Sequence, residues 1–330
     1  MDWEFIVSRS LASAFGSDAA VFALAAIGLN LHFGYTGLLN FGQVGFMALG
    51  AYGISVTVAT LGFSLWWGLA LGAALSVTLA LLLGLPTLRL RADYLAIVTI
   101  AASEIVRFVA RSVSMREITG GSFGLSGFAD EFYAINPFPG GSYGLGSVLY
   151  SARAFWVITV AWTLVALLAL MTYVLMHSPW GRVLRSIRED EDAARSLGKN
   201  VYSYKMQSLV LGGLIGTIAG FMYAISQQSV QPDTYSTPVT FYAYAIIILG
   251  GTARVFGPVL GSMIFWALLS FTDAALRQAV GAGYIPTAIM DGTQVGQMRF
   301  ILLGLGLMLL MIFRPQGILG DRKEIALDAH

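Results

Sequence analysis

Few residues in this 330-residue chain could do chemistry, and they sit in few places. Lys, Arg, Asp and Glu number thirty-seven (nineteen basic, eighteen acidic), and ten of them fall in one stretch, "SPWGRVLRSIREDEDAARSLGKNVYSYK", residues 178–205. Two other stretches fit the nucleophile-elbow pattern G-x-S-x-G: "GGSFG" at 120–124 and "GGSYG" at 140–144. An elbow needs a strand before the serine, a helix after it and a histidine partner. His32 belongs to the first apolar run, His177 to the opposite membrane face, and His330 is the last residue. Both serines are therefore read as lying in glycine turns. The glycines at 121, 124 and 127 likewise lack the strand–turn–helix frame of a nucleotide site. The absence of cysteine excludes disulfides and thiolate metal sites, and no H-E-x-x-H occurs. The only Gly-Lys pair, Gly198–Lys199, lacks both the leading glycine and the Ser/Thr of a phosphate-cradling loop. The reading is of a chain with no catalytic residue, no cofactor or metal site, and no ATP hydrolysis of its own.

The elements around these residues are made for lipid. The chain is 57% hydrophobic with a mean hydropathy of +0.74. A soluble domain carries about 25% charged residues, against 11% here. The net charge of +1 offers no basic face for nucleic acid. Apolar runs occur near 18–34, 40–60, 65–85, 92–112, 155–176, 207–226, 239–250, 258–277 and 299–313. About 20 apolar residues cross a bilayer core, so the expected fold is all-α: a polytopic transmembrane bundle of about eight to ten spans, some broken or short. The run at 239–250 is too short to cross alone and reads as a half-helix joined to the next through "LGGTARVFGPVLG" (249–261). One transmembrane domain covers 1–330, with 1–17 as an interfacial segment, 113–153 as an extracytoplasmic loop and 178–205 on the cytoplasmic side. Basic residues mark that side: the 178–205 segment, Arg89, Arg91, Arg254, Arg314, Arg322 and Lys323. The parity puts the N-terminus outside, and leaves Arg107, Arg111 and Arg116 near the outer face against the rule.

Polar groups within spans are costly and point to a pathway or an internal pair. Asn30, His32, Asn40 and Gln43 gather around the Gly-rich break between the first two spans; Asn30, Asn40 and Gln43 are pathway candidates, with mutual hydrogen bonding as the other reading. Glu104–Arg107 at i,i+3 and Asp273–Arg277 at i,i+4 read as structural ion pairs. The many glycines (38) read as close-packing positions between helices.

Within 178–205 the pattern predicts a short amphipathic surface helix. Ser178 is a candidate N-cap with Pro179 in the first turn. Arg185–Glu189, Arg188–Asp192 and Glu191–Arg195 are opposite charges at i,i+4, Val183, Ile187, Ala194 and Leu197 share one side, and Gly198 is the stop. "DAARSLG" (192–198) resembles the EAA-x-x-x-G signature of ABC importer permeases, with Asp192 for Glu and without the apolar-Pro ending. Together with "GYTGLLNFGQVGFMALGAY" (34–52), "LRADYLAIVTIAASEIVR" (90–107), "TGGSFGLSG" (119–127), "GGTARVFGPVLG" (250–261) and "FRPQGILG" (313–320), it makes the chain similar to the LivM-type permeases of branched-chain amino-acid ABC importers. The resemblance implies a bacterial plasma (inner) membrane subunit that moves its solute by alternating access. It implies a LivH-like second permease, two cytoplasmic ABC ATPase subunits and an extracytoplasmic solute-binding protein as partners. It also implies that Arg185, Arg188, Glu189, Asp192, Ala193, Ala194 and Gly198 form the ATPase-coupling surface. Urea and short-chain amide importers use very similar permeases. From other classes, a self-contained channel or secondary carrier would have no use for a charged docking segment, and an intramembrane enzyme would need groups this chain lacks.

Overall fold

The computed structural model describes residues 2–88, 92–284, 292–314 and 316–320. Arg89, Arg91, Arg322 and Lys323, used above for orientation, lie outside the described residues. Helices α1 (Trp3–Phe15), α2 (Ser17–Asn30), α3 (Gln43–Ser55), α4 (Leu65–Thr87) and α5 (Ala92–Arg111) come first. A long connection follows, holding the short α6 (Arg116–Thr119) and α7 (Asp130–Ala134). Then come α8 (Ala152–His177), α9 (Pro179–Glu189), α10 (Glu191–Ser196), α11 (Val201–Gln227), α12 (Pro238–Gly250), α13 (Gly257–Gly281) and α14 (Gly292–Phe313). Among the described residues sheet is confined to that connection and to the segment after α11: β1 (Leu125–Ser126) pairs antiparallel with β4 (Ser229–Val230), and β2 (Ser142–Leu145) with β3 (Val148–Ser151).

This is the helical bundle the composition demands. Among the described residues, seven helical stretches are long and apolar enough to cross a membrane. Between them stand α5, with Glu104, Arg107 and Arg111 in its second half, and α12, whose 13 residues rise only about 20 Å. The half-helix expected at 239–250 is thus present, and residues 251–256 leave it as irregular backbone. Helix α1 lies against α13 through Ile6, Ser10 and Ala14, while Trp3, Phe5, Val7, Leu11 and Phe15 stay exposed. That one-sided apolar exposure suits the interfacial position expected for it.

The centre consists of α2, α3 and α11, whose spans are 83%, 78% and 72% buried, whereas that of α14 is 6% buried. Small residues let these three backbones meet. A methyl group at Gly28 would stand 2.5 Å from the Gly212 carbonyl oxygen, and one at Gly220 would occupy the space of the Met47 carbonyl. The expectation that glycine serves packing holds at this centre.

Two helices do not end as α-helices. Residues Leu31–Tyr35 continue α2, and Val56–Thr60 continue α3, as π-helical turns. The first lies beside α9, the second beside the long connection, where Thr60 donates to the Ile118 carbonyl at 2.9 Å. Gly120 and Gly124 carry positive φ in turns around a 3-10 segment, as read for the first G-x-S-x-G stretch; the second runs into β2.

Candidate functional site

Residues 179–196 form two helices where one was expected, and α11 begins at Val201. Asp190 breaks the run with extended backbone (φ −152°, ψ 107°), and its carboxylate accepts from Asp192 N and Ala193 N, both at 2.9 Å. Asp190 ends α9 and caps α10. Ser178 holds the N-cap position of α9, but its hydroxyl donates to the Leu175 carbonyl at 2.6 Å and caps nothing. The stop is as read: Gly198 has φ +77°, its N–H bonds Arg195 O at 2.9 Å, and Lys199 N bonds Ala194 O at 3.2 Å. That pair of bonds is a Schellman motif, which needs the left-handed conformation glycine adopts freely.

The buried side of the pair is Leu184, Ile187 and Ala194, fully or almost fully enclosed. Leu184 was absent from the sequence-based stripe, and Leu197, included in it, is 79% exposed. The one-residue break at Asp190 turns Leu197 out of line with α9. Of the three expected i,i+4 pairs only Glu191–Arg195 forms, at 2.9 Å, and Lys205 also bonds Glu191. Asp192 pairs with Arg195 at 2.9 Å instead of with Arg188. Arg185 turns to the Met176 carbonyl, and Arg188 donates from Nη1 to the Gly34 carbonyl at 2.6 Å. Glu189, Asp192, Ala193, Leu197 and Gly198 face outward, whereas Ala194 packs with Ile187 and Val201.

Gly34 belongs to the π-helical turn, and that turn leads into a buried polar cluster. His32 Nε2 lies 3.1 Å from Leu209 O, which can only accept, so Nε2 carries the proton. Nδ1 then accepts from Asn40 Nδ2 at 3.0 Å. The Asn40 amide also donates to Gln43 Oε1 at 3.0 Å, and its carbonyl oxygen accepts from Gly42 N at 2.9 Å. Gln43 Nε2 reaches Gly212 O at 3.2 Å. Asn30 sits apart: it accepts from Ala253 N at 3.0 Å and donates to Arg254 O at 2.9 Å, pinning the loop after α12 where Ala253 carries φ +55°. Asn30, His32, Asn40 and Gln43 are each 0–1% exposed. In this conformation all four are closed by protein partners: His32, Asn40 and Gln43 bond in one chain, whereas Asn30 bonds none of the other three. The ion pairs read from sequence also form: Arg107–Glu104 at 2.6 Å and Arg277–Asp273 at 2.9 Å. Each gains a partner from far along the chain, Asp233 at 2.8 Å from Arg107 and Arg299 at 3.3 Å from Asp273.

The geometry is that of a polytopic membrane bundle carrying a charged pair of surface helices. Residues 11–313 match the family described as the branched-chain amino acid transport system / permease component, and the chain belongs to that family of ABC permeases. It is a multi-pass protein of the inner membrane. It is 32% identical to the high-affinity branched-chain amino acid transport system permease protein LivM of Salmonella typhimurium, over 96% of this chain and 72% of that one. Against LivM of Escherichia coli the identity is 30% with the same coverage. The ribose import permease protein RbsC of Escherichia coli is also similar, at 28% identity over 71% of this chain and 75% of that one.

Proposed function

We propose that this subunit moves branched-chain amino acids across the membrane by alternating access, driven by two separate ATPase subunits and completed by a LivH-like permease and an external solute-binding protein. The observation that carries the reading is the division of labour within α9 and α10. Glu189, Asp192, Ala193, Leu197 and Gly198 are exposed and bond nothing in the spans, available as a docking surface, while Arg185 and Arg188, also exposed, reach back to the Met176 and Gly34 carbonyls. Arg188 is the transmitting member: its bond to Gly34 joins the docking helix directly to the π-helical end of α2. A nucleotide can bias the spans only by favouring one of their arrangements over the other, and a charge-assisted bond into a buried helix end is a rigid means of doing so. Asn30, Asn40 and Gln43 are proposed to border the solute's route when the break around them opens. Identity to LivM on both counts exceeds that to the ribose permease, which favours amino acids as cargo.

The test is uptake by proteoliposomes holding the complete importer. ATP-dependent leucine entry, undiminished by excess urea, acetamide or ribose, is expected. Glu189→Arg and Gly198→Trp should leave the subunit inserted and assembled yet lower leucine moved per ATP at least tenfold. Normal uptake in both variants, or import of ribose in place of leucine, would sink the proposal.

A further inference from the structure

A second polar cavity lies far from the coupling helices. About 460 Å³ in volume and open on one side, it is lined by α1, the start of α2, β3, the start of α8, α13 and α14, with Arg9, Asp18, Tyr150, Trp266, Asp273 and Arg299 among its walls. Three buried polar atoms on residues that line this space have no hydrogen-bond partner among the described residues: Asp18 Oδ1, Trp266 Nε1 and Arg299 Nε. Leaving a buried polar atom unmet is costly, so three on the walls of one cavity mark a place built to be filled. Their chemistry is mixed in sign. Asp18 presents a carboxylate oxygen from the first turn of α2, where the helix end favours negative charge. Trp266 and Arg299 present N–H donors, and Arg299 is held in place by Asp273. Tyr150 closes one wall, its hydroxyl donating to Ala12 O at 2.6 Å; burial raises its pKa, so it remains a neutral donor.

We propose that this cavity binds a zwitterion with a primary ammonium and an anionic oxygen group: the ammonium against Asp18, the anion against Trp266 and Arg299. The headgroup of an ethanolamine phospholipid is the favoured source. The cavity borders α1, with its row of exposed apolar side chains, and α14, whose span is only 6% buried, so acyl chains have an apolar surface to follow. A free amino acid carries the same pair of charges.

The experiment uses the assembled importer, purified and reconstituted in nanodiscs of phosphatidylglycerol mixed with one second lipid: phosphatidylethanolamine, its N-monomethyl or N,N-dimethyl form, or phosphatidylcholine. Native mass spectrometry after transfer to detergent counts lipid retained on this subunit. Retention should fall stepwise with methylation, at least tenfold from ethanolamine to choline, because each methyl removes a hydrogen that Asp18 accepts. Asp18→Asn and Trp266→Phe should each reduce ethanolamine-lipid retention about tenfold; the methylation series on the unaltered protein decides the matter should a variant fail to fold. L-leucine retained in lipid-free detergent and lost in Asp18→Asn would support the same chemistry with the free amino acid as its source. Equal retention of all four lipids together with no retained leucine overturns the proposal.

Discussion

Among single residues, Asn40 shows how a span tolerates polarity. It spends both amide hydrogens and its carbonyl oxygen on His32, Gln43 and Gly42. Asn40→Ala would orphan three groups at once, at about 1–3 kcal/mol each, less whatever neighbouring groups recover. A fall of several degrees in the melting temperature of the detergent-solubilised subunit is expected. An unchanged melt would mean that water or a rearrangement serves these groups equally well. The sequence placed Asn30, His32, Asn40 and Gln43 together because all flank one glycine-rich break. It could not tell that Asn30 serves the loop at Ala253, since that partner lies more than two hundred positions away. Arg188 was legible as a charge on a surface helix, whereas its inward reach depends on how α9 docks, a tertiary fact that no local pattern encodes.

For elements, the limits of local pattern are clearest at α9 and α10. Charge spacing at i,i+4 suggested one continuous helix, yet Asp190 ends it. The signal was present in "DEDAA": an Asp followed by two acidic residues is an N-cap with a favourable first turn, overlooked because the charge pairs ran through it. Asp190→Ala removes two capping bonds and should destabilise α10 by about 1 kcal/mol. Amide exchange over 191–196 is expected to speed up several-fold while exchange over 179–189 holds, and leucine transport per ATP should drop. Equal protection of α10 in the variant would show that packing of Ala194 alone maintains it. The half-helix α12 was readable from length alone, because a 13-residue run cannot cross. The π-helical turns were not readable, since their composition matches that of the adjoining α-helix.

For the whole molecule, hydropathy made the bundle legible and left its inner ring hidden. All the long apolar runs look alike in sequence, yet α2, α3 and α11 form the centre because their glycines allow backbone contact at Gly28, Gly212 and Gly220. Alternating chain direction puts α9 and α10 on one face and the 112–151 connection on the other. With no native cysteine, single ones can report this. Ser196→Cys should react with an impermeant maleimide only in inverted vesicles, and Gly140→Cys only from outside the cell. Labelling of both from one side would reverse the proposed orientation of the coupling surface.

The widened turns at Leu31–Tyr35 and Val56–Thr60 each accommodate one residue more than an α-helical turn does. Such slack can travel. Were the surplus in α2 passed along its length, every residue it crossed would turn by about 100° and advance by about 1.5 Å, a screw step made without breaking the rod. The turn in α2 lies beside α9 and that in α3 beside the 112–151 connection, so two of the three central rods carry this reserve, at opposite ends of the bundle.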